Sequence, residues 1–506
     1  MTDSEAIYPL KTDLLRHRSI RGATITAASQ AAKFVLMLGS QIILARLLNP
    51  ADFGIVAMVA PILGFVTIMA DLGLLQAVVQ RPVLTRGELN AVFWINAVLS
   101  IAMAVLLMGL APLLAWIYHE PKLIPVTLAL ASLVVVTGLT LVQIALLNRT
   151  MGFVVLSGAE TLSLALGLGA GALAAWKGLG YWSLVISQAT ISVSAASIFW
   201  VASSWRPSRP AFKSESLAIL RFGGNITVSN IANYLNTVLD NVLVGYNLGE
   251  APLGLYDRAW KLAVLPMTQL LAPINRVAVP ALSGLANDAE RYRNAFAQML
   301  RVLLVVALPG LAVAVMAADP MIGLLFGAKW RGVAPVFSWL CVGALVTPVN
   351  YAMFWIFVSQ GRARDQMIYG TAAAIINILA YVAGVHWGLV GVARTSAISV
   401  YLLQAPLLVW AGSRSGPIDR AFFFRIIYPF ILSTLGALAA IKLYDHVHGV
   451  TGFVDLAAAV AGAYAASLAI LACFPSGRAA IRNVFAVGKA LTSSSLGRLP
   501  PKANSA

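Results

Sequence analysis

Fourteen mainly apolar stretches, each close to the length that crosses a hydrocarbon layer, follow one another along this chain. They lie near 22–46, 53–77, 91–117, 124–147, 153–176, 181–201, 222–246, 254–282, 295–317, 333–359, 366–387, 390–411, 423–441 and 453–474. Barrel strands are short and alternate, so runs of this length are read as helices. Within lipid each backbone N–H and C=O must find a partner inside its own segment, which an α-helix provides. The expected fold is therefore all-α: a polytopic membrane protein with about 14 transmembrane helices. Composition agrees, with 60% hydrophobic and 11% charged residues, where a soluble domain carries about 25% charged. An ordinary water-soluble enzyme of 506 residues is excluded, because these charges are too few to cover its surfaces.

The connections are short. The longest interior one, 202–221, holds Trp205, Arg206, Pro207, Ser208, Arg209 and Pro210 and reads as a hinge-like cytoplasmic linker. No loop has room for a soluble catalytic domain. The expected organisation is a cytoplasmic N-terminal segment (1–20), a six-helix lobe (21–201), the linker (202–221) and a second six-helix lobe (222–411). Two additional transmembrane helices (412–474) and a basic cytoplasmic tail (475–506) complete it. No cleavable signal peptide is expected, since the first apolar run is long enough to remain as a span.

The formal net charge of +16 suggests nucleic acid in a soluble protein and cytoplasmic loops in a membrane protein. The positions of the 35 Lys and Arg decide between them. Alternate loops and termini, counted from the N-terminus, carry 23; the opposite set carries 6, and another 6 lie inside spans. This asymmetry places both termini in the cytoplasm, supports an even number of spans and argues against nucleic acid.

The chain also repeats itself at an offset of 200 residues. Arg21 aligns with Arg221, Gln41–Ala45 with Asn241–Gly245, and Leu48–Gly54 with Leu248–Gly254 without a gap. Later landmarks correspond with small shifts: Ala111 and Pro112 match Asp319 and Pro320, and Gly178 and Leu179 match Gly388 and Leu389. Six spans per half give both halves one orientation. Paired bundles of this kind commonly enclose a midplane site and alternate access to it, which suggests a transporter. The last two spans lie outside the repeat.

An ionisable side chain at the bilayer centre costs roughly 2.5–3.5 kcal/mol on insertion scales, so each one is a candidate for function. Lys33 lies halfway along the first span, on a face with Gln30, Met37 and Gln41. The alternative to a site residue is a Lys paired with a neighbouring helix for packing. The seventh span carries Asn225, Ser229, Asn233, Asn236 and Asp240 on one face, with polar glue between helices as the alternative. At the start of the eighth span, Asp257 and Lys261 stand four apart with Arg258 between them, and Arg276 follows two turns before its cytoplasmic end. Asp71, Glu160, Arg301 and Arg394 lie nearer the interfaces. The in-span charges keep a cationic bias in the second half, which suits an anionic substrate. Neither a phosphate-binding loop nor a pattern for a metal or hydrolytic site is present, and no cofactor or metal is expected. Cys341 and Cys473 suggest no disulfide framework, and His446 and His448 are wrongly spaced for a helical metal site.

Several short motifs then resemble a known family. They are Asp52–Gly54, Asp71–Gln76 with Gln80 and Arg81, Leu239–Asn241, Gly254–Tyr256 with Arg258, Ala259, Lys261 and Leu262, and Val279–Ser283. These segments resemble bacterial polysaccharide flippases of the Wzx type, in the branch of colanic acid and succinoglycan exporters. The resemblance implies the fold of the multidrug/oligosaccharidyl-lipid/polysaccharide exporter superfamily. It also implies the substrate, an undecaprenyl-diphosphate-linked oligosaccharide moved from the cytoplasmic to the periplasmic leaflet of the inner membrane. Relatives hold the diphosphate with basic residues, a role that the motif match carries to Arg258 and Lys261. Lys33 and Arg276 join them from the reading of the spans. Long C-terminal helices would form a groove for the lipid tail. Asn233 and Asn236 are expected to meet sugar hydroxyls, and Asp240 and Asp257 to serve as coupling or cavity carboxylates. Membrane lipids and the polymerase and export machinery are the further partners expected. Three other readings stand beside this one: a cation-coupled multidrug exporter of the same superfamily, a membrane-embedded glycan polymerase or ligase, and a non-transporting scaffold.

Overall fold

A computed structural model of the chain describes residues 15–80, 84–208 and 237–484, with 227, 230, 231 and 234 between them. The chain forms two compact units, Met1–Asp257 and Arg258–Ala506. In the first unit helices α1 (Leu15–Leu47), α2 (Pro50–Asp71), α3 (Leu74–Gln80), α4 (Arg86–Tyr118), α5 (Leu123–Gly138) and α6 (Leu141–Arg149) follow in order. Then come α7 (Phe153–Trp176), α8 (Trp182–Ala202) and a helical stretch 237–248, here α9. Helix α10 (Glu250–Gly284) begins in the first unit and continues into the second.

The second unit continues with α11 (Ala289–Met316), α12 (Ala318–Leu325), α13 (Val333–Ala344), α14 (Thr347–Ser359) and α15 (Ala363–Val385). Helix α16 (Gly388–Ser399) passes through a π-turn at Val400–Gln404 into α17 (Ala405–Ser413). The two final long helices are α18 (Arg420–His448) and α19 (Phe453–Ala472). Among the described residues, eleven helical segments are long and apolar enough to cross a membrane. The pair α5 and α6, bent by 40° at its break, raises the number to twelve. The eighth expected span is the 35-residue helix α10, which carries Glu250, Asp257, Arg258, Lys261 and Arg276. The seventh lies partly outside the described residues.

Local chemistry accounts for where these helices start and stop. Thr85 caps α4: its hydroxyl accepts from the Glu88 N–H at 3.2 Å, and Glu88 returns the bond to the Thr85 N–H at 2.9 Å. Asp288 and Asp419 cap α11 and α18 in the same way, accepting from the N–H groups of Arg291 and Phe422. Helix α2 opens with Pro50 in its first turn, where a missing N–H costs nothing, and ends on Leu72 and Gly73 at positive φ. The central linker starts out pinned down. Trp205 is buried and packs edge-on against Phe93, and the Asn90 carboxamide accepts from the Ser208 N–H at 3.1 Å.

The segments aligned by the repeat meet each other inside the first unit. Gly54 at the start of α2 lies so close to α10 that an added Cβ would fall 1.8 Å from the Glu250 carbonyl oxygen. Gly254 at the start of α10 lies so close to α2 that its Cβ would fall 1.9 Å from the Pro50 carbonyl oxygen. Residue for residue, Pro50 aligns with Glu250 and Gly54 with Gly254, so the contact is reciprocal, as it is around a local two-fold axis. Lys122 flanks this crossing, 3.3 Å from Glu120 and 3.8 Å from Glu250. Since the obstruction on each side is backbone, Gly54→Ala and Gly254→Ala should each lower the thermal midpoint of the purified protein, by overpacking of about 1–3 kcal/mol. Gly39→Ala, in a helix and with open space at the added carbon, should leave it unchanged or slightly higher. Equal midpoints for all three variants would contradict the close crossing.

Candidate functional site

The charged residues singled out in the spans fall into separate local settings, and each is described within its own unit. In the first unit Lys33, 9% exposed at the middle of α1, forms an ion pair with Glu160 of α7. The Glu160 side chain is 53% exposed. An isolated ammonium at this depth is costly. The carboxylate makes the pair neutral, and removing one partner would leave a charge uncompensated. This contact is the packing alternative weighed for Lys33, and a phosphate at Lys33 would have to compete with Glu160 for it. Half exposed, Glu160 keeps room to move aside.

Asp240 sits on α9 and is 3% exposed. Its Oδ2 accepts from the Tyr256 hydroxyl at 3.0 Å and its Oδ1 from the Asn241 N–H at 2.8 Å. Tyr256 is fully buried on α10. Gly249, at φ +88°, provides the turn that lets α9 and α10 bring these two side chains together. Asp257 and Arg258 follow, both buried, and Lys261 is half-buried one turn further along. Arg276 lies on the same helix near its end. Asn233 and Asn236 lie outside the described residues, as do Asn225 and Ser229.

The second unit contains an apolar cavity of about 640 Å³, with walls from α11, the turn at Leu345 and Val346, α14, the π-turn, α17 and α18. Tyr401, Trp410, Phe423 and Phe430 line it, and Arg420 stands at its rim. The π-turn re-aims Tyr401, whose hydroxyl donates to the Val342 carbonyl at 2.8 Å. Among the described residues no group of three or more His, Cys, Asp or Glu is placed to hold a metal ion.

Residues 43–335 match a family described as polysaccharide biosynthesis protein. This chain belongs to that family. The match spans α2 to α12 and includes the Asp52–Gly54, Leu239–Asn241 and Gly254–Tyr256 motifs that carried the resemblance. Individual relatives extend the likeness. The lipopolysaccharide biosynthesis protein WzxC of Escherichia coli is 26% identical over 436 residues, covering 83% of this chain and 86% of its own length. The succinoglycan biosynthesis transport protein ExoT of Rhizobium meliloti is 25% identical over 427 residues, covering 83% and 85%. Among solved structures, the inward closed conformation of lipid II flippase MurJ superposes with a TM-score of 0.71 at 14% identity, over 89% of this chain and 98% of that one. An inward-facing multidrug resistance transporter of the MATE family gives 0.59 at 17% identity, over 78% and 98%. These two likenesses show the fold.

Two partners were invisible to sequence reasoning. Glu160 is recognisable as an acid in an apolar run, but Lys33 is 127 residues away. Tyr256 lies in a motif, yet only the turn at Gly249 shows it to be the donor that holds Asp240. A double-mutant cycle over Lys33→Ala and Glu160→Ala should give a coupling on the order of 1 kcal/mol in the stability of the purified protein, held down by the exposure of Glu160. Additive effects would mean that the pair does not form.

Proposed function

We propose that this protein moves lipid-linked oligosaccharide repeat units across the bacterial inner membrane for surface polysaccharide synthesis, by alternating access. It is a transporter, not an enzyme. The observation that carries this reading is the pair of relatives aligned across 83% of the chain, one named for lipopolysaccharide biosynthesis and the other for succinoglycan transport. The helices supply the rest of the support. An undecaprenyl diphosphate is an anion on a long apolar tail, and it needs basic groups at membrane depth beside a surface for the tail. Lys33 on the first unit, and Arg258, Lys261 and Arg276 on the second, are each assigned as contacts for the diphosphate during passage. For Lys33 the phosphate replaces Glu160, so the ammonium is never left uncompensated.

Asp240 and Asp257 are assigned as cavity carboxylates, with Tyr256 holding Asp240 in place. Asn233 and Asn236 are assigned to sugar hydroxyls. The apolar cavity of the second unit offers a seat for part of the prenyl tail, and Arg420 marks its polar rim. Both termini face the cytoplasm in this reading, following the distribution of Lys and Arg. The polymerase and export machinery are the partners that would receive the product.

A multidrug exporter of the same fold is the second reading, favoured only by the 0.59 superposition on the MATE transporter. The cationic bias of the in-span charges argues against it. Deleting the gene should make lipid-linked repeat units accumulate facing the cytoplasm while surface polysaccharide disappears. Lys33→Ala, expressed at the normal level, should fail to restore export. Unchanged polysaccharide together with altered drug sensitivity would overturn the flippase reading, and full complementation by Lys33→Ala would remove Lys33 from the site.

A further inference from the structure

A second, smaller cavity lies wholly within the first unit, among α2, α4 and the broken pair α5 and α6. It measures about 180 Å³; the polar residues Thr67, Asp71, Asn96, Ser100 and Thr137 line it with Gly138, and the apolar Ala70, Leu75 of α3, Val134, Leu141 and Ile144 complete its wall. Asn96 and Ser100 stand ten and fourteen residues into α4, which places them roughly 15 and 21 Å along its axis. They are 1% and 0% exposed. The Asn96 Oδ1 and the Ser100 Oγ have no hydrogen-bond partner among the described residues. Unsatisfied oxygens at this depth are costly, so a native fold that keeps two of them together calls for a ligand.

The orientation of each group indicates what that ligand is. The Asn96 amide nitrogen donates to the Gly138 carbonyl at 2.7 Å, which identifies Oδ1 as the atom left over. Thr67 and Thr137 donate their hydroxyl hydrogens to Leu63 and Leu133 carbonyls of their own helices, at 2.8 and 2.9 Å, and so keep lone pairs available. Apart from the Ser100 hydroxyl, which still carries its own hydrogen, the set therefore offers oxygen acceptors. Two helices end at the cavity, α2 on Asp71 and α5 on Gly138, and each brings the negative end of its dipole there. Asp71 adds the one carboxylate that lines it, with Oδ1 also accepting from the Leu75 N–H at 3.4 Å. The basic residue of α6, Arg149, is absent from the lining and donates to the Val78 carbonyl at 3.3 Å.

We propose that this cavity is a binding site for a small monovalent cation, sodium, held by Asp71, Asn96 and Ser100 with Thr67 and Thr137. Hard oxygen donors select a hard cation. One carboxylate balances one positive charge, whereas a divalent ion would leave a net charge within the membrane. The break in the fourth span is part of the site. Interrupted membrane helices expose carbonyls and helix ends to ions in this manner. It also explains Gly138, where an added Cβ would fall 1.9 Å from the Ser100 Oγ. The inference goes beyond the flippase reading and does not depend on it.

The test is equilibrium binding of radioactive sodium to the purified full-length protein, alongside thermal unfolding in sodium, potassium and choline chloride at one ionic strength. Saturable binding and a higher midpoint in sodium than in choline are expected. Asp71→Asn and Gly138→Ala should abolish both. Ser100→Ala, which removes a single oxygen from a site that otherwise keeps its packing, should weaken sodium binding by at least about tenfold. It carries the test if the other two variants do not fold. Absence of any sodium effect on the native protein would overturn the proposal and leave a cavity that holds only water. Unchanged sodium affinity in Ser100→Ala would overturn it equally. No glycan-lipid enters this measurement, so its outcome is separate from that of the flippase experiments.

Discussion

Everything in this structure answers to the absence of water around its backbone. A peptide group within hydrocarbon must bond inside its own helix or not be there at all, which is why the described chain is a succession of long helices with short connections. That requirement gives meaning to the places where a helix is interrupted. The fourth expected span breaks between Gly138 and Leu141, and polar side chains of α2 and α4 converge on the break. The twelfth widens into a π-turn at Val400–Gln404, next to the cavity that it lines with Tyr401. Each interruption frees backbone groups or re-aims a side chain, and each borders one of the two cavities described.

Charge follows the same logic. Most of the basic residues stand in loops and tails, where they report orientation, and the few inside the spans need partners. Lys33 finds Glu160, and Asp240 finds the Tyr256 hydroxyl. A substrate that carries two phosphates through the membrane would use such groups by exchange: as it binds, an internal ion pair opens and an external one forms. This keeps every intermediate close to electroneutral. It would also let Lys33 stay available without the full cost of unpaired burial.

Much of the architecture was legible in the sequence because it is local. Span positions follow from runs of apolar residues. The matched segments Leu48–Gly54 and Leu248–Gly254 are legible as a repeat, whereas the crossing that joins them is seen only in the structure. What could not be read depends on packing between distant segments. The apolar run 124–147 looks continuous, and the bend at its Gly138 becomes evident only where Ser100 presses against that glycine. Asn96 and Ser100, four apart in an apolar helix, mark a polar face, but neither names Asp71 or Thr137 as its neighbour. Lys33 was found by its depth, while its partner lay 127 residues away. Hydropathy finds an ionisable residue in a span, and only tertiary structure shows what neutralises it.

Movement of the glycan-lipid by the protein alone can be measured directly. Purified protein would be reconstituted into vesicles carrying a prenyl-diphosphate-linked oligosaccharide in one leaflet. Its appearance in the other leaflet would be followed by accessibility to an added glycosidase. The account predicts transbilayer movement well above that of protein-free vesicles, with no comparable effect on ordinary phospholipid. Movement no faster than in protein-free vesicles, by protein shown to be folded, would contradict it.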